Sequence, residues 1–150
     1  MKILVDINNR QNIITLNPED KKIIQEAVTA CLRLEDRMEF NEISLSFVTN
    51  EEIQALNQSY RGKDQVTDVL SFPMEATHDV PEKILGDIVI AVPRMVEQAA
   101  AYGHSLRREM VYLVVHSMFH LLGYNHMTEE EKRTMRQKEE KIMALLDLSR

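Results

Sequence analysis

The order of elements along the chain predicts an α+β fold. One domain over residues 1–150 should hold a small mixed sheet of about four strands, packed with about five helices. Three observations carry this reading. Short apolar or alternating runs suited to strands fall at four places before residue 92. Helix caps and helical apolar spacing fill the gaps between them and the whole C-terminal third. One helix, beginning after Ser105, is apolar almost all round from Met110 to Leu122, which predicts a central, buried position.

Taken in order, residues 2–7 (KILVDI) read as the first strand. Asn17-Pro18-Glu19-Asp20 starts a helix: Asn17 caps it, Pro18 takes its first position, and two acids meet the positive end of its dipole. Ile23, Ile24, Ala27, Val28, Cys31 and Leu32 then recur at helical spacing to about Leu34. Ile43–Val48 alternates as a half-buried strand does. Asn50 is read as the cap of a short helix, EEIQALNQSY, which leads into a polar loop from Arg61 to Asp68. Val69–Phe72 is a strand ended by Pro73, and a loop through Pro81 leads to the strand Gly86–Ala91. Pro93 opens a helix that Gly103 ends near Tyr102. Ser105 caps the central helix, and Gly123 stops it. Thr128-Glu129-Glu130-Glu131 is a capping box for a last helix ending near Leu146, whose Glu, Lys and Arg run reads as a solvated face.

Composition narrows the function. Hydrophobic residues make up 44% and charged residues 28%, a globular balance. The single cysteine, Cys31, excludes an intramolecular disulfide and a cysteine-rich zinc site, and its place on an apolar helix face makes it core. The opening MKILVDINN is too short an apolar run for a signal peptide or a membrane span, so the expected location is cytoplasmic, with no membrane partner. Net charge is −6, whereas nucleic-acid binders usually carry a basic excess. Any nucleic-acid contact must therefore come from a local patch. Aromatics are 5% with no Trp, which disfavours a base-stacking platform.

The chemistry concentrates in His116-Ser-Met-Phe-His120-Leu-Leu-Gly123-Tyr-Asn-His126. His116 and His120 lie one helical turn apart, so their rings leave the same face. A glycine that ends the helix lets the chain reverse and brings His126 back toward them. Three histidines suit one tetrahedral ion with a fourth position left for water, the pattern of a catalytic rather than a structural site. A histidine at both offsets arises by chance in roughly one such chain in two hundred. As plain core residues, the two helical imidazoles would be buried without partners at ~1–3 kcal/mol each. Metzincin proteases share the ligand offsets, but they require Glu after the first His as general base. Here that position is Ser117, which cannot do a carboxylate's work.

A second cluster is YRGKDQVTDVLSFP from Tyr60. Arg61 and Lys63 beside Gly62 can present cationic groups to a phosphate. Taken together, this stretch, the LGDIVI strand from Leu85 and the three-histidine motif resemble the YbeY family, bacterial ribosomal-RNA maturation factors described as zinc-dependent endoribonucleases. The resemblance covers essentially the whole chain. It implies one Zn²⁺ held by His116, His120 and His126, with other imidazole-accepting divalent transition metals also compatible. It implies catalytic roles for Arg61 and His116, and substrate binding by Arg61 and Lys63. It further implies single-strand-specific cleavage in processing the 3′ end of small-subunit ribosomal RNA, and ribosome quality control. The partners would be ribosomal RNA inside small-subunit particles, with ribosomal proteins or assembly GTPases, and no organic cofactor.

Ser117 and Asn125 depart from the family's usual Gly and Asp. If that Asp orients the third histidine, uncharged Asn125 does so more weakly. Asp68 and Asp87 are candidate bases, but the simpler roles are a loop brace for Asp68 and a histidine-orienting carboxylate for Asp87. Arg61, Lys63, Arg94, Arg107 and Arg108 are the expected basic rim. His78 and His104 are left outside the site, and Met127 is read as its floor. Two rival readings follow from the same residues: a zinc metalloprotease with metzincin-like ligand spacing, and a non-catalytic ribosome assembly factor with a structural metal.

Overall fold

Asn17 closes a full capping box with Asp20, and this box starts the first helix of a chain whose computed structural model describes residues 3–74 and 83–148. Lys2, most of the loop through Pro81, and His78 lie outside the described residues. The order is β1 (Leu4–Asn9), α1 (Pro18–Leu34), β2 (Glu42–Val48), α2 (Asn50–Arg61), β3 (Val69–Pro73), β4 (Ile84–Ala91), α3 (Val92–Tyr102), α4 (Leu106–Leu121) and α5 (Glu129–Leu145). The expected four strands and five helices are present among the described residues, and the class is α+β.

The strands run β1-β2-β4-β3 across one sheet. β1 pairs parallel with β2, and β2 with β4, while β3 lies antiparallel to β4. The parallel β1–β2 pair needs a long crossover, which α1 supplies. β4 is central and buried on both faces, so its sequence is continuously apolar near its end rather than alternating. Ile88 and Ile90 join the main core, and Val89 and Ala91 join a smaller one under α2 with Val48, Ile53 and Leu70.

α4 is the hub of the main core. Met110, Val111, Leu113, Val114, Val115, Met118 and Phe119 are all buried, and α1, α3, α5, β3 and β4 pack around them. The all-round apolar reading therefore holds, and Met110 and Met118 are core residues. Cys31 is fully buried on α1, and burial pushes its thiol far above its ordinary range, so it is inert.

Two local expectations are corrected. Thr49, not Asn50, caps α2: its backbone continues the extended run of β2, and its hydroxyl accepts from the Glu52 amide. Arg61 is the last residue of α2 rather than part of the loop, and Gly62 ends the helix at φ 69°. A cation there is favoured by the negative end of the helix dipole. Among the described residues, no helix is long and apolar enough to cross a membrane.

Candidate metal and active site

The turn after α4 brings the three histidines together. Gly123 donates to the His120 carbonyl at 3.0 Å and Tyr124 to the Phe119 carbonyl at 2.9 Å, while Gly123 itself adopts φ 104°. This left-handed closure is available to glycine at little steric cost, and it turns the chain back along the helix end. The ring centroids of His116 and His120 lie 4.8 Å apart, those of His120 and His126 4.7 Å, and those of His116 and His126 5.6 Å. One nitrogen from each ring falls within 4.8 Å of the others, a group able to hold a metal ion.

The hydrogen bonds favour a particular face of two rings. His116 Nδ1 meets the Glu139 carboxylate at 2.5 Å. His120 Nδ1 meets the Tyr124 carbonyl at 3.0 Å. An acceptor on each Nδ1 places the ring proton there and leaves Nε2 with its lone pair, the tautomer a metal needs. Burial lowers the pKa of His120, and the charges of His116 and His126 lower it further, so its neutral form is favoured. Two half-buried imidazoles and one exposed one, with two rings held from behind, fit a divalent cation that accepts nitrogen donors.

Glu139 also accepts from the Tyr112 hydroxyl at 3.1 Å, and the Tyr112 ring stacks 6.0 Å from that of His116. A cavity of about 930 Å³ opens beside His116 between α3, α4 and α5, with Arg108, Arg136, Tyr112, Glu139 and Asp68 in its wall.

The other expected residues fall unevenly. Asp68 braces its own loop: its Oδ1 accepts from the Val69 amide at 2.8 Å and its Oδ2 from Gln98 at 3.3 Å. Among the described residues Asp87 makes no hydrogen bond to the three histidines; Glu139 and the Tyr124 carbonyl hold the Nδ1 atoms of His116 and His120. Asn125 makes no hydrogen bond to any of the three rings among the described residues. Met127 is 83% exposed and floors nothing, because the turn points it outward ahead of the Thr128 cap. Arg107 is tied to Asp20 and Glu19 at the start of α1, and the Nε of Arg94 is buried; only Arg108 of the five expected rim residues borders the cavity. Arg61 and Lys63 are exposed at the end of α2 and are not in the cavity wall. Ser117 is fully buried with its hydroxyl unpartnered, so it faces the core and cannot stand in for a peptidase base.

Sequence reasoning missed Glu139 by reading α5 as a solvated face. The signal was there: Met135, Glu139, Ile142 and Met143 share one helical stripe, and the three apolar members are buried with it. A carboxylate on an apolar stripe needs a partner.

The model of the family described as Endoribonuclease YbeY matches residues 6–147. Proteins named Endoribonuclease YbeY from Alkaliphilus oremlandii and Finegoldia magna are 50% and 47% identical; the first match covers 100% of both chains, the second 94% of this chain and 92% of the relative. The relative of that name from Clostridioides difficile is 44% identical, over 96% of this chain and 97% of its own. The solution structure of TM1509 from Thermotoga maritima shares the fold, with a TM-score of 0.59 and 22% identity over 96% of this chain and 92% of that one. With the histidine trio, its turn and the full-length match in agreement, the chain belongs to the YbeY endoribonuclease family.

Proposed function

We propose that this chain is a metal-dependent endoribonuclease that cleaves single-stranded RNA during ribosomal RNA maturation, at the 3′ end of the small-subunit RNA, and in ribosome quality control. The observation that carries the reading is the convergence of His116, His120 and His126 within 4.8 Å, in a chain of this family. These three residues would hold the ion, with Zn²⁺ the best fit to an all-imidazole set. A bound divalent cation supplies Lewis-acid polarisation of a phosphoryl oxygen and acidifies a water.

The chain's own residues do the rest. Glu139 and the Tyr124 carbonyl fix the tautomers of His116 and His120. Arg61 pairs with the scissile phosphate and offsets charge that grows in the transition state, as a guanidinium fork does well. Lys63 binds a neighbouring phosphate. Arg61 stands at an exposed helix end, so it reaches the phosphate once RNA lies along that face. Cleavage breaks one P–O bond of the phosphodiester on attack by water or by the adjacent 2′-hydroxyl. A net charge of −6 repels RNA in general. Substrate presented inside a small-subunit particle, with help from ribosomal proteins or assembly GTPases, in the cytoplasm, fits that balance.

Arg61→Ala separates this reading from a non-catalytic assembly role. The variant should keep its zinc and its melting temperature while kcat/KM on single-stranded RNA falls about a hundredfold or more. Cleavage at the wild-type rate would remove Arg61 from the mechanism.

A further inference from the structure

His116 and His120 are each held by a hydrogen bond at Nδ1. His126 is exposed, and among the described residues its ring meets only the other two rings. Its placement therefore rests on the backbone on either side. After it, the Thr128–Glu131 capping box fixes the start of α5. Before it stands Tyr124. The Tyr124 hydroxyl donates to Glu35 Oε1, and Lys138 Nζ donates to Glu35 Oε2 at 2.7 Å. The same ammonium lies 5.2 Å from the centre of the Tyr124 ring.

Glu35 caps the C-terminus of α1, and Lys138 projects from α5 beside Glu139. Burial pushes the Glu35 carboxyl up, but its hydrogen bonds from Lys138 and Tyr124 outweigh this and hold it below the ordinary range. It is thus a charged acceptor at neutral pH. Side-chain exposures of 12% for Glu35 and 29% for Lys138 make this a partly desolvated pair rather than a surface ion pair.

We propose that Glu35, Lys138 and Tyr124 form a positioning clamp that sets the reach of His126 to the metal. The inference rests on the reading that the histidine trio is a metal site. Glu35 and Lys138 touch none of the three histidines. They act through Tyr124, which lies two residues before His126 and whose carbonyl also holds His120. Adjacent residues of α5 thereby serve both halves of the site: Glu139 aims His116, and Lys138 helps to aim His126.

The test is a zinc titration of the full chain against a competing chelator, with a melt of each metal-free variant alongside. Glu35→Ala and Tyr124→Phe should each weaken zinc about tenfold, the scale of other groups that orient ligands. Phe keeps the ring and the backbone carbonyl, so this variant folds even if Glu35→Ala does not. The double variant should lose no more than the larger single loss. Lys138→Arg keeps a donor and should restore most of the affinity lost in Lys138→Met. In a His126→Ala background, Tyr124→Phe should cost less zinc affinity than in the full trio, because only the His120 contact to the Tyr124 carbonyl is then left to disturb. Wild-type affinity in Glu35→Ala and Tyr124→Phe, or an equal loss with and without His126, would overturn the clamp. Zinc bound as tightly by His120→Ala as by wild type would instead overturn the site reading beneath it.

Discussion

At Glu139 one carboxylate holds two donors, His116 Nδ1 at 2.5 Å and the Tyr112 hydroxyl at 3.1 Å. Its removal leaves both donors without their acceptor, and water from the adjoining cavity can replace it without fixing the ring. Glu139→Ala should weaken zinc about 10- to 100-fold by chelator competition, and Glu139→Gln should recover part of that through its remaining acceptor. Zinc affinity in the Ala variant equal to wild type would mean that His116 needs no orienting partner. Much of the site was legible because its signal is local. His116, His120, Gly123 and His126 fall within eleven residues, and helical spacing plus one glycine is enough to place them together. Glu139 was legible in principle from its apolar stripe. The Glu35 clamp was not: its hydrogen-bond partners lie 89 and 103 residues away, and no spacing rule joins them.

The elements were read well where a side chain closes its own cap. Asn17, Ser105 and Thr128 do so at the starts of α1, α4 and α5. At α2 two cap-competent residues, Thr49 and Asn50, compete. The extended backbone leaving β2 decides for Thr49, and that is tertiary information. The strand β4 holds another feature set by its neighbours. Gly86 pairs with Pro73 beside a register shift between β2 and β4. A Cβ at Gly86 would stand 2.4 Å from the Phe72 carbonyl oxygen, which is backbone and cannot swing away. Gly86→Ala should cost ~1–3 kcal/mol, read as a lower denaturant midpoint at unchanged slope. A midpoint equal to wild type would mean that β3 and β4 can separate there without penalty.

Across the whole molecule, charge and core divide the work. The sheet and α1 bury α4, so two histidines leave a rigid helix instead of a loop, which suits a site that must hold its geometry. Which Arg and Lys residues face the cavity was the least legible feature. A sum of Arg and Lys positions says nothing of which ones are spent inside the fold, and Arg107 is spent on Asp20. With a net charge of −6, a bound divalent ion would add two positive charges beside Arg108 and Arg136 in the cavity wall. Everything then turns on whether the trio binds an ion. The most direct measurement is the zinc content of purified wild type and His120→Ala by mass spectrometry under non-denaturing conditions. One zinc per wild-type chain and none in His120→Ala is the expected result. Equal zinc in the two proteins, or none in wild type after loading, would contradict it.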